Sequence, residues 1–200
     1  MPNTLLIFLK PPRAGYVKTR LARTVGDAEA LRIYRFLLDK TRAAVSGVAA
    51  VRQLWFAEPP DGYDEWPAEQ FSQYLQTGAD LGARMAHAFG QAFAAGAERV
   101  VIVGSDCPLL ETRHIEEAFA ALSASDLSLG PTPDGGYYLL GMRRFFPDLF
   151  RNIAWSTPAV LPATLDIAGR LGLSTHLLPE LPDIDTEEDW KVYLSDNQPL

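Results

Sequence analysis

The run Val100-Val101-Ile102-Val103 passes without a polar residue into Gly104-Ser105-Asp106-Cys107-Pro108. Four β-branched apolar residues in succession suit a central strand covered on both faces, as in a parallel sheet flanked by helices. Such a strand commits the chain to an α/β architecture. Open sheets of that class bind their ligands beyond the carboxyl ends of the strands. Asp106 stands at that end, where its carboxylate either faces a ligand or serves the turn and caps the helix beginning near Thr112.

The rest of the chain supplies the other layers. Thr4 to Leu9 reads as a buried first strand, Ala50 to Ala57 as the second and Phe71 to Gln76 as a short third. Between the first two, Leu31, Tyr34, Leu38 and Val45 recur at helical spacing over residues 27–45. Residues 58–69 are rich in Pro, Asp and Glu and read as a surface connection. Leu81, Met85, Ala88, Phe89 and Ala92 predict the buried stripe of a helix after the third strand. Ile115, Ala118, Phe119 and Leu122 predict another from Thr112 to Leu122. Leu127–Thr132 and Tyr137–Met142 flank Pro133-Asp134-Gly135-Gly136, a hairpin signal that makes the sheet mixed rather than wholly parallel. Ser156 or Thr157 can cap a helix starting at Pro158. A last strand follows over Ser174–Leu178, and Thr186 with Asp189 forms a near-match to a capping box on the closing helix.

At 200 residues, 48% hydrophobic and 22% charged, the chain can bury a layered core as one unit, 1–200, without metal or disulfide staples. The formal charge of −7 speaks against a nucleic-acid binder but leaves room for a local basic pocket. The single cysteine, Cys107, fits a reducing compartment. No apolar stretch approaches the roughly eighteen residues of a membrane span, and no signal-peptide pattern opens the chain. The expectation is a cytoplasmic protein that engages no membrane.

Against that acidic background, Lys10-Pro11-Pro12-Arg13-Ala14-Gly15-Tyr16-Val17-Lys18-Thr19-Arg20-Leu21-Ala22 is a conspicuously cationic loop. Loops after the first strand of an α/β sheet commonly hold phosphates, although a merely solvated basic loop reads the same way. The glycines of a Walker A or dinucleotide fingerprint are absent. Gly78 and Gly82 either let a ring or ribose approach the backbone or are ordinary packing glycines. Asp134 is a turn residue or a base, and Asp183 and Asp185 precede the last helix. Cys107 adjoins Asp106 but has no histidine beside it in sequence, which favours a small buried residue over a nucleophile. His87, His114 and His176 show no metal-ligand spacing and read as surface or structural residues.

In order, the chain carries Pro-x-x-Gly-x-x-Lys-Thr-Arg-Leu-Ala, Gly-Ala-Asp-Leu-Gly-x-Arg-Met, Gly-Ser-Asp-Cys-Pro-Leu-Leu, Pro-Asp-Gly-Gly-Tyr-Tyr-Leu-Leu-Gly, Trp-Ser-Thr and Asp-Ile-Asp-Thr-Glu-Glu-Asp. This series resembles the bacterial radical-SAM/selenodomain-associated transferase 1 family, also labelled an arsenosugar-biosynthesis glycosyltransferase. The resemblance implies a single-domain GT-A (Rossmann-like) α/β three-layer sandwich with a mixed, mostly parallel sheet, in the nucleotide-diphospho-sugar transferase superfamily. It implies a divalent metal, Mg²⁺ or Mn²⁺, held by Asp106 and Asp185, with Asp183 as the adjacent fallback. All-oxygen ligation suits either ion. It further implies a nucleotide site at Lys10, Gly15, Lys18, Arg20, Gly78, Leu81, Gly82 and Asp106, and an acceptor site at Gly135, Gly136, Tyr137 and Trp155. Lys18 and Arg20 would share the charge building on a departing phosphate, and Asp134 would be the base on an acceptor hydroxyl.

Two reactions fit the resemblance. In one, a nucleotide-sugar gives its sugar to a small-molecule acceptor. In the other, an NTP gives its nucleotidyl group to a phosphorylated small molecule and releases pyrophosphate. A non-catalytic nucleotide-binding module is a third reading, and it predicts loss of a metal carboxylate, whereas both are present.

Overall fold

The computed structural model describes residues 3–60 and 62–197. Asp61, within the surface connection expected over residues 58–69, and the extreme ends of the expected unit 1–200 lie outside the described residues.

Among the described residues, seven strands form one sheet: β1 (Thr4–Leu9), β2 (Val51–Phe56), β3 (Ser72–Leu75), β4 (Val100–Val103), β5 (Leu127–Pro131), β6 (Tyr137–Met142) and β7 (Thr175–Leu177). Their order is β3-β2-β1-β4-β6-β5-β7, and only β6 runs antiparallel to its neighbours. The expected mixed, mostly parallel sheet is the observed one. The helices are α1 (Thr19–Val25), α2 (Asp27–Ser46), α3 (Leu81–Ala94), α4 (Thr112–Ala121), α5 (Val160–Arg170) and α6 (Glu187–Asp196). None is long and apolar enough to cross a membrane among the described residues.

Strand alternation explains the layers. Leu5, Ile7, Val101 and Val103 point to one face, where Tyr34, Leu38 and Val45 of α2 and Ile115 and Phe119 of α4 cover them. Leu6, Phe8, Val100 and Ile102 point to the other, against Met85, Ala88 and Phe89 of α3 and Ile167 of α5. All four residues of β4 are buried, as an unbroken apolar run covered on both faces requires. A separate cluster of Leu21, Ile33, Leu37, Ile184 and Trp190 fastens α1 and α6 to α2.

From β1 the chain builds outward to β2 and β3, then returns through α3 to β4 on the other side of β1. The crevice between β1 and β4 is therefore the topological switch point, and Lys10 and Gly104-Ser105-Asp106 emerge there side by side.

Three local expectations are corrected. The cationic stretch is not loop throughout, because α1 begins at Thr19, where Leu21 reaches the cluster beneath α2. Asp106 does not cap α4. Glu111 is the cap, in a capping box in which His114 Nδ1 accepts from the Glu111 N–H at 3.1 Å. Helix α5 begins at Val160 with Ala159 as an N-cap that makes no side-chain bond, so neither Ser156 nor Thr157 caps it. Thr157 instead closes its own turn, donating from Oγ1 to the Ala154 carbonyl at 2.6 Å. The capping box at Thr186 and Asp189 forms as the sequence suggests.

Candidate active site

A cavity of about 750 Å³ opens over the switch point. Its floor is the carboxyl ends of β1 and β4, and its walls come from the first loop, the start of α3, the β5–β6 turn, the Trp155–Pro158 segment and the Asp183–Asp185 segment. The volume suits a nucleotide-sized ligand.

The central feature is a carboxylate pair gripping one ammonium. Lys18 Nζ lies 2.7 Å from Asp106 Oδ1 and 3.1 Å from Asp185 Oδ1. The lysine side chain is 5% exposed, while the two carboxylates are 46% and 42% exposed and open on the cavity. Burial alone would lower the Lys18 pKa, but the charges of Asp106 and Asp185 outweigh it and hold the pKa above the usual lysine value. Arg20 reaches the other oxygen of Asp185 at 3.5 Å.

Three local devices build this arrangement. Lys18 adopts φ 47°, ψ 45°, a left-handed conformation that costs a non-glycine residue roughly 1–3 kcal/mol and is concentrated at functional sites. That turn sends the side chain inward while its carbonyl starts α1, accepting from the Ala22 N–H at 2.8 Å. Second, the Ile184 N–H donates to the Asp106 carbonyl at 3.0 Å, and the Ile184 side chain is buried in the cluster beneath α2. Pinning Ile184 brings Asp183 and Asp185, its neighbours on either side, to the cavity beside Asp106. Third, the Asp185 N–H donates to Asp189 Oδ2, tying the segment to the capping box of α6.

Asp183 is pushed up to about 8 by desolvation of its carboxyl and by repulsion from Asp106, with Lys18 only partly offsetting both. The acidic cluster thus has three carboxylates in sequence but carries fewer than three charges near neutrality. Among the described residues, no three His, Cys, Asp or Glu side chains converge as a ready-made metal cage. Asp106 and Asp185 converge instead on the Lys18 ammonium. Burial also pushes the Cys107 thiol up to about 12, so it stays protonated at neutral pH and is no nucleophile.

The structure gathers Lys10, Lys18, Arg20, Leu81, Asp106, Asp134, Gly136, Tyr137, Trp155 and Asp185 around this one cavity. Gly15, Gly78, Gly82 and Gly135 are not part of its lining. A Cβ on Gly82 would fall 2.1 Å from the Trp155 indole nitrogen, so this glycine lets Trp155 lie flat on α3, which is the packing reading. Gly135 has φ +86° and would drive a Cβ into the Pro158 carbonyl at 2.2 Å, so it brings the β5–β6 turn against the Trp155 segment. Asp134 Oδ1 accepts from Thr132 Oγ1 and from the Gly136 N–H, which is the turn role, although the residue also faces the cavity.

Among the cavity residues that the sequence reading did not place in the site, two stand out. Arg84 projects from the first turn of α3 with Nε donating to the Gly78 carbonyl at 3.3 Å, and no carboxylate pairs with it among the described residues. Lys18 and Arg20 pair with Asp106 and Asp185, so among the described residues Lys10 and Arg84 are the cavity-lining cations without a carboxylate partner. The signal for Arg84 is a cation two residues after Gly82 in Gly-Ala-Asp-Leu-Gly-Ala-Arg-Met, at the start of a helix. Tyr34 is the other. It reaches the cavity from mid-α2, where its spacing marked it as core.

Comparison with known proteins agrees with this fold. No curated protein matches the sequence. The chain superposes on a Desulfovibrio desulfuricans G20 protein, provisionally classed as a nucleotide-diphospho-sugar transferase, with a TM-score of 0.92 and 35% identity over 98% of this chain and 87% of that one. More distant structures share the fold alone. The inositol-1-phosphate CTP transferase of T. maritima has a TM-score of 0.58 at 16% identity, covering 96% of this chain and 94% of that one. The manganese complex of Rv0371C from Mycobacterium tuberculosis H37Rv has a TM-score of 0.57 at 14% identity, covering 98% and 99%. The family model described as "Uncharacterized protein conserved in bacteria (DUF2064)" matches residues 40–157, a span that contains Arg84, Asp106, Asp134 and Trp155. With more than half of its length matched, the chain belongs to the DUF2064 family.

Proposed function

We propose that this protein is a metal-assisted transferase that takes a sugar from a nucleotide-diphospho-sugar and gives it to a small-molecule acceptor. The observation that carries the reading is the pair Asp106 and Asp185, converging on one cationic centre at the switch point of a nucleotide-diphospho-sugar transferase fold. The relative from Desulfovibrio, 35% identical over 98% of this chain, supports the substrate class, and the resemblance to the radical-SAM/selenodomain-associated transferases supports the reaction.

The residues fit a divalent ion. Two carboxylates already share one point of positive charge, and an all-oxygen donor set suits Mg²⁺ or Mn²⁺. Asp106 and Asp185 would hold the ion, which when bound neutralises charge on the nucleotide's phosphates. With the ion in place, Lys18 would share these carboxylates with it and could donate to a phosphate oxygen. Lys10 and Arg84 then bind the diphosphate and stabilise it as it departs. Tyr137 and Trp155 wall the acceptor side, and Asp134 lies within the same cavity to receive the acceptor's hydroxyl proton.

Nucleotidyl transfer is the second reading, favoured by the cationic first loop and its inward Lys18, a grip suited to a triphosphate. Products separate the two. Incubation with nucleotide-sugars or NTPs, candidate acceptors and Mn²⁺ is expected to release a nucleoside diphosphate. Pyrophosphate release with no nucleotide-sugar turnover would replace the first reading by the second.

A further inference from the structure

The β1–β4 ladder ends at the pair Ile7 and Val103, yet the residues that meet the ligand lie beyond it, at Lys10 on one strand and Ser105-Asp106 on the other. Leu9 is still held, but toward β2, its carbonyl accepting from the Ala57 N–H at 2.9 Å. Besides the Lys18–Asp106 ion pair, a side chain on α2 ties these two ends together past the ladder. The Lys10 N–H donates to the Tyr34 hydroxyl at 2.9 Å, the hydroxyl donates to the Lys10 carbonyl at 3.0 Å, and Ser105 Oγ lies 3.3 Å from the same oxygen.

A tyrosine hydroxyl has one proton and two lone pairs. Giving the proton to the Lys10 carbonyl leaves the lone pairs for the Lys10 N–H and the Ser105 hydroxyl, so the junction is saturated. Tyr34 and Ser105 are both buried, so water does not replace a lost partner there without cost. The ring needs no hydroxyl to fill its place among Leu38 and its neighbours, a service phenylalanine would render equally. The polar tip serves the two ends of the crevice.

We propose that Tyr34 is a positioning residue: its hydroxyl locks the first loop to the turn carrying Asp106, so that the cations of one and the carboxylate of the other meet the same ligand. Its kinetic consequence rests on the transferase reading, whereas the lock itself does not.

The experiment compares wild-type protein, Tyr34→Phe and Ser105→Ala by amide hydrogen exchange and by steady-state kinetics with nucleotide-sugar and Mn²⁺, well below the melting temperature of each. In Tyr34→Phe, the Lys10 amide and residues 104–106 are expected to exchange about tenfold faster while the α2 and β4 amides keep their protection. The nucleotide KM is expected to rise about tenfold with a smaller fall in kcat. Ser105→Ala, which removes one of the three bonds, should shift both in the same direction by less, and should add little to Tyr34→Phe. Should Tyr34→Phe not fold, Ser105→Ala alone carries the test. Unchanged exchange at Lys10 and residues 104–106, or acceleration spread evenly through α2, overturns the proposal. Local acceleration in a protein that never turns over a nucleotide keeps the lock and removes the transferase reading.

Discussion

Two acid–base clusters lie on opposite halves of the sheet and behave differently. At the β5–β6–β7 end, Asp126 takes Arg143 on one oxygen at 2.6 and 2.7 Å and the Ser174 N–H and hydroxyl on the other at 3.0 and 2.8 Å. Every lone pair in use is met by a donor that the fold fixes in place, and the aspartate is buried. At the switch point, Asp106 and Asp185 share one lysine, hold it through a strained backbone and leave their remaining faces open to the cavity. The first cluster is closed and ties three strands together. The second has spare acceptor capacity and borrows a cation, which is how a binding site differs from a structural pair.

Exchanging charge for amide in each cluster is the sharpest way to break this contrast. Asp106→Asn or Asp185→Asn is expected to cut metal-dependent turnover by about 10³-fold or more, with a modest fall in melting temperature because the buried Lys18 ammonium keeps its other carboxylate. Asp126→Asn should instead keep turnover and lose about 2 kcal/mol of stability, because the amide accepts at one atom only and its NH2 would face either Arg143 or the Ser174 N–H. Turnover and thermal melts on the three variants check this. Comparable activity losses in all three would erase the distinction.

A smaller effect is expected from Lys18→Met. Removing the borrowed cation leaves two facing carboxylates, so nucleotide-free protein should bind Mn²⁺ about tenfold more tightly by calorimetry and melt lower without metal. Affinity equal to wild type would mean that Lys18 and the ion do not compete.

The subtlest difference is in pH. Asp126 is buried, which would raise its pKa, but the Ser174 and Arg143 hydrogen bonds hold it below the ordinary 3.8. Its contribution is present above that value and lost as pH falls below it. Asp183 is raised to about 8, so its contribution is complete below 3.8 and drains away as pH climbs through 8. Calorimetric melting temperatures should therefore decline toward pH 8 in the wild type and less so in Asp183→Asn. Equal slopes would contradict the raised Asp183.

Much of this was legible in the sequence, for local reasons. Unbroken apolar runs marked β1 and β4, the Pro-Asp-Gly-Gly turn marked the antiparallel β6, and Asp106 was visible as the polar residue ending the central strand. What stayed hidden depends on contacts far apart in the chain. The resemblance pairs Asp185 with Asp106 but does not show how they meet, through a backbone bond from Ile184, 78 residues from Asp106. Lys18 turns inward only because its backbone takes a left-handed conformation, which no residue type near it announces. Tyr34 fits a helical apolar stripe, and periodicity is blind to where its hydroxyl points. Gly82 looked able to admit a ligand ring and instead admits Trp155, a partner 73 residues on.

The central claim is that Asp106 unites metal and nucleotide at the switch point. The most direct measurement is the melting temperature of wild type and Asp106→Asn across a panel of nucleotides and nucleotide-sugars, with and without Mn²⁺. At least one nucleotide-sugar is expected to raise the wild-type melting temperature only when Mn²⁺ is present, and Asp106→Asn is expected to lose this shift relative to its own ligand-free melt. An equal Mn²⁺-dependent shift in Asp106→Asn would contradict the central claim.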